Sequence, residues 1–409
     1  MRVVVLGAGI AGIVTAWYLA RGGAEVTVVE RGAEPASETS HANGGHLSTQ
    51  SGVPWTGPAG LRAFLARRFS PERPIRVLHT RDPGRLGWYA HALAASRPAA
   101  YRHALSTIFE LARLSRECFD ALVGEHGLDV SLEAEGTFAL YRSERVFEHA
   151  RRHLGKDVQV LSVDEVLARE PALGEAAIRP AGALFYPGDA TGDCRRFCSE
   201  LAARAEACGV EFRYRERAHR LTIARNICRG VVSDSGEIEA DACVVAMGTS
   251  SAPFLRGQGI RLPILPLRGY TLTAPIGESA PAPGRFADIE RHIVCARLGG
   301  SFRAAGMADF TGPAAEPDWG RAAQLERIVR EWYPALSRTG TEHWSCLRPM
   351  TPDGPPILGA SGAAGVWLNT GLGPLGWTLG CGAGRLVADL VLGKKPSISL
   401  EGLTRKRFR

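Results

Sequence analysis

Residues 2–30, RVVVLGAGIAGIVTAWYLARGGAEVTVVE, decide the fold of this 409-residue chain. They begin with a short β-branched run at 2–6, continue with a helical pattern at 10–21 and end with a second β-branched run at 25–30. Strand, helix and strand in this order form a βαβ unit, whose two strands are parallel and belong to one sheet. The stretch therefore predicts an α/β fold.

The glycines between the first strand and the helix follow the spacing GxGxxG. Gly7 fits the tight turn, Gly9 the point where backbone must approach a pyrophosphate, and Gly12 the point where the helix packs on the strand. Glu30 ends the second strand, where its carboxylate can accept hydrogen bonds from both hydroxyls of a ribose. Because an acidic residue here disfavours a 2′-phosphate, the pattern predicts a site for NAD or FAD.

The composition is that of a globular protein, with 45% hydrophobic and 22% charged residues. Nine cysteines are scattered without a CxxC pair, which favours a reducing cytoplasm over a disulfide framework or a zinc site. Val3 to Ala20 carries no charge, but the glycines within it argue against an export signal or a membrane helix. We therefore predict a cytoplasmic protein without a metal site.

The net charge of +7 is concentrated in two basic segments. Residues 62–85 contain seven arginines and two acidic residues, and residues 394–409 contain six cations and one acidic residue. Neither segment has the interleaved aromatic residues of a nucleic-acid-binding module, so we predict no nucleic-acid partner. The segments could be solvated surface, could dock a partner subunit, or could bind anionic lipid at the inner face of a membrane, at about 1 kcal/mol per cation.

Further along the chain, strand and helix patterns alternate and are interrupted twice by apparent antiparallel sheet, at 263–273 and 292–307. This alternation predicts two interleaved domains. The predicted helices are 103–126, 164–169, 193–208, 321–332 and 378–392, and the predicted strands include 137–141, 210–214, a hairpin-like pair within 229–247, and 365–370.

Several motifs resemble the D-amino acid oxidase superfamily, and within it the bacterial D-amino acid dehydrogenase small subunits. They are ETSHANGG at 38–45, PLRGYTLT at 266–273, AGMAD at 305–309, LRPMTPDGPPILG at 347–359 and NTGLGPLGWT at 369–378. Because they cover nearly the whole chain in one order, the resemblance implies FAD rather than NAD.

The resemblance implies a two-dinucleotide-binding, Rossmann-like FAD domain interleaved with an α+β substrate domain built on an antiparallel sheet. We assign residues 1–80, 181–256 and 344–409 to the FAD domain, and residues 81–180 and 257–343 to the substrate domain. The implied reaction transfers hydride from the Cα of a D-amino acid to flavin N5, and the imino acid is hydrolysed to a 2-oxo acid and ammonia. Such a step depends on alignment, a neutral amine and a dry pocket more than on a protein base, and the electrons would pass to a quinone or another acceptor.

The cofactor site is expected at three glycine-rich segments, of which the first is the GxGxxG turn at 7–12. Residues 40–45 would run beneath the flavin ring and its phosphates. The segment 371–376 would direct the N-terminus of the last helix at the flavin, where it stabilises negative charge. The predicted cofactor-binding residues are Gly7, Gly9, Gly12, Glu30, Arg31, Ser40, His41, Asn43, Gly44, Gly45, Gly248, Cys346, Gly371, Gly373, Leu375, Gly376, Trp377 and Thr378.

Arg348 is the predicted carboxylate ligand for an amino acid substrate. Its guanidinium can clamp a carboxylate with two parallel hydrogen bonds, which a lysine cannot do; the alternative is a structural salt bridge. Tyr270 could donate its hydroxyl to the same carboxylate, or could be a core aromatic residue with a satisfied hydroxyl. Arg268 is a weaker second cation.

Four positions depart from the dehydrogenase pattern or add to it. Leu372 replaces a usual histidine and Pro374 follows it, which puts turnover, the acceptor or redox tuning in doubt. Cys346 matches the position at which sarcosine oxidases carry a cysteine joined to the flavin 8α-methyl group, so it is a candidate covalent ligand, although buried cysteines are often inert. His41 resembles, more faintly, the flavin-linking histidine of dimethylglycine dehydrogenases.

Three other functions stay open at this point. One is an oxidase of glycine, sarcosine or a cyclic imino acid, although Thr378 replaces the carboxylate-binding lysine of sarcosine oxidases. Another is an aromatic flavin monooxygenase, which would need a Gly-Asp segment before the last helix, where this chain has Leu-Arg-Pro. The third is a flavin-bearing partner subunit of a hetero-oligomer.

Overall fold

A computed structural model of the protein describes residues 1–55, 57, 74–77, 84–277, 282–312 and 316–408. The helices in these ranges are α1 (Ile10–Arg21), α2 (Gly84–Ala95), α3 (Pro98–His126), α4 (Glu144–Arg151), α5 (Val163–Arg169), α6 (Cys194–Ala207), α7 (Ser251–Arg256), α8 (Trp319–Trp332) and α9 (Gly376–Val391). The strands are β1 (Arg2–Leu6), β2 (Glu25–Val29), β3 (His46–Leu47), β4 (Ile75–Val77), β5 (Thr137–Tyr141), β6 (Gln159–Leu161), β7 (Gly182–Tyr186), β8 (Ala190–Thr191), β9 (Glu211–Arg213), β10 (Ala218–Ala224), β11 (Ile227–Ser233), β12 (Gly236–Glu239), β13 (Ala242–Val245), β14 (Leu265–Pro275), β15 (Phe286–Asp288), β16 (Ile293–Leu298), β17 (Ser301–Phe310), β18 (Glu342–Met350), β19 (Ile357–Ala360) and β20 (Val366–Thr370).

The N-terminal βαβ unit forms the centre of a six-stranded sheet with the order β19-β20-β13-β1-β2-β9. The strand β1 pairs in parallel with β2 on one side and with β13 on the other. Its residues Val3 to Leu6 are all buried, as expected for a parallel strand covered on both faces. The helices α1 and α9 pack so closely that a Cβ at Gly384 would meet Val14 at 2.6 Å. Because α1 follows β1 and α9 follows β20, both helix N-termini lie at the carboxyl edge of this sheet.

A nine-stranded, mostly antiparallel sheet forms the second layer, with the order β18-β14-β17-β16-β15-β5-β7-β6 and β4 beside β17. The long strand β14 pairs with both β17 and β18. Side chains alternate along each strand, so one face of β14 packs under α8, while the other face of β14 and one face of β18 are turned toward the six-stranded sheet. The space between the two sheets contains the candidate site.

The segment after the turn at Asp234 differs from the predicted hairpin. The strand that pairs antiparallel with β11 is the short β12, whereas β13 pairs in parallel with β1 and β20. The physical reason is burial on both faces: Ala242 to Val245 is apolar throughout and suits a central strand of the parallel sheet. The predicted assignment of domains also meets three exceptions, because β4, β7 and most of β18 fall in segments assigned to the FAD domain but pair in the nine-stranded sheet.

The basic C-terminal segment folds back onto the protein as far as residue 408. Leu403 is fully buried, and its carbonyl accepts a hydrogen bond from the Leu358 N–H. The guanidinium of Arg407 binds both carboxylate oxygens of Asp353, at 2.6 and 3.1 Å. The lysines at 394, 395 and 406 remain exposed.

Most of the other basic segment, residues 62–85, lies outside the described residues. Among those that are described, Arg76 forms ion pairs with Asp309 and Asp318, and Arg85 is buried and donates to the carbonyl of Thr311. Both arginines therefore stabilise the fold. Across the part of the chain that the structure describes, no helix has the length and apolar character needed to cross a bilayer.

Candidate functional site

Two adjoining cavities lie between the sheets. The first cavity, of about 280 Å³, follows the carboxyl edge of the six-stranded sheet, and the second cavity, of about 350 Å³, lies beneath the face of β14 and β18. Both are lined by Ile10, Thr39, Ser40, Gly373 and Gly376. Because they share these walls, the two cavities form one continuous groove.

The first cavity is built around the N-terminus of α1. Gly9 is the N-cap residue and offers no side-chain acceptor to the first turn, whose N–H group at Ile10 donates to Ser40 Oγ at 3.2 Å. The Glu30 carboxylate accepts from the N–H groups of Ala8 and Gly32, at 2.7 and 2.6 Å. Each of its oxygens keeps a second lone pair for a ligand hydroxyl. A helix N-terminus beside a carboxylate matches the needs of a pyrophosphate attached to a ribose.

The glycines in and behind this cavity differ in the space around them. A Cβ at Gly248 would meet nothing within 4 Å, and one at Gly9 would meet only Ser40 Oγ, at 3.5 Å. A Cβ at Gly12 would lie 1.8 Å from the carbonyl oxygen of Gly7. Gly9 and Gly248 therefore leave space for a ligand, whereas Gly12 allows the helix to pack on the strand.

The second cavity is formed by alternate residues of two paired strands. In the register of β14 and β18, Gly269 pairs with Cys346 and Thr271 pairs with Trp344. These four residues and Arg348 line the cavity. The opposite wall consists of residues 42–48 and the segment that leads into α9.

Arg348 places a positive charge in this cavity without a carboxylate to balance it. Its Nη1 donates to the carbonyl of Met307 at 3.2 Å, and none of the described acidic residues forms an ion pair with it. Burial lowers the pKa of the guanidinium below its usual value. A Cβ at Gly269 would lie 2.5 Å from Arg348 Cζ, so the guanidinium occupies space that only a glycine leaves. A buried, unpaired cation is costly, and an anionic ligand would relieve that cost.

The N-terminus of α9 closes the groove from the other side. Its N-cap residue, Leu375, provides no side-chain acceptor, and Gly376 lines both cavities. The hydroxyl of Thr378 accepts from the Ser48 N–H at 2.9 Å and holds the loop that follows β3 against the helix. Two helix N-termini thus point into one groove, an arrangement that favours a ligand with negative charge.

This geometry agrees with what comparison with known proteins finds. A family model described as FAD dependent oxidoreductase matches residues 2–390. The chain belongs to this family. The predicted family and the predicted FAD-dependent oxidoreductase activity are thereby confirmed.

Curated relatives extend over the whole chain. A D-amino acid dehydrogenase from Rhizorhabdus wittichii is 38% identical over 420 residues, and one from Agrobacterium fabrum is 37% identical over 420 residues; in both comparisons all of each chain is covered. The crystal structure of glycine oxidase from Geobacillus kaustophilus superposes with a TM-score of 0.73 at 22% identity and covers 98% of both chains. This similarity confirms the predicted α/β fold class.

The groove fits the FAD that the family requires. Open glycines, an uncapped helix N-terminus and the Glu30 carboxylate line the first cavity, and these groups suit a pyrophosphate and a ribose. The second cavity continues from there and is walled mainly by apolar residues, as an aromatic ring system needs.

Most of the predicted site residues line the groove. Those in the first cavity are Gly7, Gly9, Glu30, Arg31, Ser40, Gly248, Gly371, Gly373 and Gly376. Those in the second are Ser40, Asn43, Gly44, Gly45, Cys346, Arg348, Gly373, Leu375, Gly376, Trp377 and Thr378. Leu372 and Pro374, which depart from the dehydrogenase pattern, line the first and the second cavity, respectively. The roles of these residues toward FAD and substrate remain predictions.

Tyr270 and Arg268 need correction. Both lie on the face of β14 that is turned away from the second cavity, because residues of a strand alternate in direction. The Tyr270 hydroxyl accepts from the Asp318 N–H at 3.1 Å and approaches Asp309 Oδ2 at 3.4 Å. Tyr270 is thus a core aromatic residue with a satisfied hydroxyl, and neither residue reaches a ligand in the second cavity.

His41 and Gly12 also lie outside the walls of the groove. The His41 ring stacks on Trp344, with ring centroids 4.2 Å apart, so the indole separates it from the second cavity. Burial, aided by the positive charge of Arg195, lowers the pKa of His41. The prediction that His41 binds the cofactor is therefore corrected. Gly12 keeps the packing role that the GxGxxG pattern assigns to it.

Sequence reasoning missed several residues of the groove, among them Thr39, His46 and Trp344. Thr39 and His46 flank the predicted segment 40–45. Trp344 lies four residues before Arg348, so strand alternation alone would have placed it on the same face. The missing information was the extent of β18, which begins at Glu342.

Proposed function

We propose that the protein oxidises a D-amino acid to a 2-oxo acid and ammonia, with Arg348 as the ligand of the substrate carboxylate. The observation that carries this proposal is the partly buried guanidinium of Arg348, which faces the second cavity and has no carboxylate partner among the described residues. The names of the two curated relatives support the D-amino acid as substrate class.

Bound FAD supplies the acceptor for the hydride that leaves the substrate Cα. The protein contributes binding and orientation. Arg348 can hold the carboxylate by two parallel hydrogen bonds, which also fixes the direction of Cα. Arg348 is the one permanently charged side chain among the described residues that line the second cavity, whose walls also include the imidazoles of His46 and His292. The largely apolar walls exclude water and favour the neutral form of the substrate amine.

Anaerobic mixing with individual D- and L-amino acids tests the proposal directly. We expect the visible absorbance of FAD to bleach with apolar D-amino acids and to persist with their L-enantiomers. Bleaching by glycine or sarcosine instead would identify an amine oxidase of another specificity. Bleaching by NADPH and by no amino acid would refute the proposal and favour a flavin monooxygenase.

Substitution of Arg348 tests the residue that carries the proposal. Arg348→Ala removes the guanidinium that holds the substrate carboxylate, so we expect kcat/KM to fall by about 100-fold or more, with FAD still bound. Arg348→Lys is the matched control, because it keeps the charge and loses the paired hydrogen bonds; we expect an intermediate loss. An Arg348→Ala enzyme with unchanged KM would rule out the clamp.

The mode of FAD attachment is a finer proposal. Cys346 lines the second cavity, and burial raises the pKa of its thiol. Because attack on FAD requires the thiolate, we expect Cys346 to remain a free thiol and FAD to be held without a covalent bond. Acid precipitation tests this: yellow supernatant is the expected result, and yellow pellet that turns colourless in Cys346→Ser would establish a covalent link.

We also propose a quinone, rather than oxygen, as the electron acceptor, with the protein at the inner face of a membrane. The support is the exposed lysines 394, 395 and 406 together with the basic segment 62–85, since each cation near anionic lipid contributes about 1 kcal/mol. Co-sedimentation with anionic vesicles that disappears in high salt is expected. Binding to neutral vesicles alone, or stoichiometric peroxide formation in air, would contradict this.

A further inference from the structure

His46 contributes a polar group to the second cavity that neither the family resemblance nor the proposed mechanism uses. It forms the first residue of β3, lines the cavity and is partly accessible there. Its backbone is held on both sides: His46 pairs with Thr191 of β8, and its carbonyl accepts from the Thr378 hydroxyl at 3.4 Å. The ring therefore projects from a fixed point of the wall.

One hydrogen bond determines which nitrogen of the ring carries the proton. His46 Nε2 lies 2.9 Å from the carbonyl oxygen of Cys295. A carbonyl oxygen can only accept, so Nε2 carries the hydrogen. In the neutral imidazole the other nitrogen, Nδ1, then has a free lone pair. Nδ1 has no hydrogen-bond partner among the described residues, and it is not one of the enclosed polar atoms.

The environment keeps this imidazole neutral. Burial lowers the pKa of His46, and the carbonyl of Cys295 and the charge of Asp189 only partly oppose that effect. Asp189 precedes β8. The elements packed on the other sides present uncharged groups, the Cys295 thiol from β16 and the Thr378 hydroxyl from α9; burial raises the pKa of that thiol, which is therefore protonated. At neutral pH His46 thus offers an acceptor to the cavity.

His46 and Arg348 are anchored on neighbouring strands. The Arg348 guanidinium bonds to the carbonyl of Met307 on β17, and the His46 ring bonds to the carbonyl of Cys295 on β16. These strands are paired, with Cys295 opposite Ala304. A donor of hydrogen bonds on β18 and an acceptor of hydrogen bonds on β3 therefore face the same cavity, each held by a carbonyl of one of two adjacent strands.

We propose that His46 is a second substrate-binding residue, whose Nδ1 accepts a hydrogen bond from the amino group of the amino acid that Arg348 holds by its carboxylate. This inference rests on the proposed function. An apolar amino acid has two polar groups, and only the carboxylate suits a guanidinium. The amino group donates, so its recognition needs an acceptor, and Nδ1 of a neutral histidine provides one without a charge that would stabilise the ammonium form.

Two isosteric variants separate the two nitrogens of the ring. In His46→Asn the amide oxygen can take the place of Nδ1, so the acceptor is kept. In His46→Gln the longer amide reaches the position of Nε2, so the bond to Cys295 is kept and the acceptor is lost. With an apolar D-amino acid that bleaches the wild-type FAD, we expect kcat/KM to fall roughly tenfold in His46→Gln and no more than about threefold in His46→Asn.

The pH dependence provides an independent measurement. Protonation converts Nδ1 from an acceptor into a donor. Because burial lowers the pKa of His46, the wild-type advantage over His46→Asn should persist at the usual histidine pKa of about 6.5 and be lost only at lower pH. The Asn variant has no such group, and its profile should reflect only the remaining titrations. A wild-type to Asn ratio of kcat/KM that already falls between pH 8 and about 6.5, or that stays constant down to the lowest pH at which both enzymes remain folded, would contradict the proposal.

The outcomes distinguish this inference from the proposed function. If no amino acid bleaches the wild-type FAD, the proposed function fails first. If the wild type reacts and both variants equal it, or if Asn and Gln lose activity equally, the acceptor role of His46 is wrong. A changed FAD spectrum or dissociation constant in His46→Gln, with KM and kcat for the amino acid unchanged, would also overturn it and would assign Nδ1 to FAD.

Discussion

The first and second cavities are adjacent, but different parts of the chain form their walls. The first is lined by short segments that follow strands β1, β2, β13 and β20 and have a recognisable spacing, above all the turn between β1 and α1. The second is lined by side chains of β14, β16, β17 and β18, which are distant in sequence and meet only through strand pairing. A site formed by short segments at strand ends can be identified from local spacing, whereas a site formed by paired strands depends on which face each strand presents.

The largest effect is expected behind the first cavity, where α1 packs most tightly on the turn that follows β1. Gly12→Val would force side-chain atoms against the Gly7 carbonyl, which an added Cβ already meets at 1.8 Å. We expect the free energy of unfolding to fall by about 3 kcal/mol or more, with loss of bound FAD. Denaturant unfolding followed by circular dichroism measures it. Gly124→Val is the control, because a Cβ at Gly124 meets nothing within 4 Å; equal losses in both variants would contradict the packing role.

Gly269 tests the second cavity in the same way. Gly269→Ala places a methyl group 2.5 Å from Arg348 Cζ, and the flexible guanidinium can move aside without unfolding the protein. We therefore expect kcat/KM to fall by about 30-fold, the equivalent of about 2 kcal/mol, while the FAD content and the melting temperature stay close to wild type. Steady-state kinetics measure kcat/KM, the FAD absorbance measures the FAD content, and thermal unfolding gives the melting temperature.

Gly300→Ala is the matched control for this variant, since Gly300 lies in the turn between β16 and β17 of the same sheet and a Cβ there meets nothing within 4 Å. If Gly269→Ala loses FAD or stability together with activity, the glycine serves the fold and not the position of Arg348. The comparison thus separates a positioning residue from a packing residue.

Substitution of Glu30 is expected to have a smaller effect, which is confined to the affinity for FAD. Glu30→Gln replaces one carboxylate oxygen that accepts from Ala8 or Gly32 by an amide N–H that cannot. We expect the dissociation constant of FAD to rise roughly tenfold, measured by fluorescence titration of the apoprotein. Glu25→Gln, at the exposed start of the same strand, should leave it unchanged. An unaltered FAD affinity in Glu30→Gln would remove the ribose role.

The smallest effect is expected at Thr378. Thr378→Val removes the acceptor for the Ser48 N–H, so the loop beside His46 should loosen and the free energy of unfolding should fall by about 1 kcal/mol. Thr378→Ser keeps the hydroxyl and should behave as the wild type. A large rise in substrate KM in both variants would instead indicate that Thr378 contacts the substrate.

The sequence predictions also differ between the two cavities. Gly9, Glu30 and Gly12 could be assigned roles because a short, local pattern dictates a turn, a strand end and a packing contact. Tyr270 and Arg348 were both expected to bind the carboxylate, yet the register of β14 and β18 turns only Arg348 toward the cavity. Neither local spacing nor residue type reveals that direction.

His41 illustrates the same limit within one loop. It lies in the middle of a segment whose other predicted members line the groove, but it stacks behind Trp344, a residue from a strand about 300 positions away. His46, immediately after the segment, lines the cavity. The assignment of the two histidines depended on a contact between distant elements.

By itself the sequence determined the βαβ unit, the nucleotide-binding turn and the family, because glycine spacing and strand and helix periodicity act over a few residues at a time. The tertiary structure decided which side chains share the second cavity, which tautomer His46 adopts and why Gly269 must lack a side chain. The physical reason is that these properties arise from pairing between strands. A shift of one residue in that pairing would turn a cavity-facing side chain to the opposite face of the sheet.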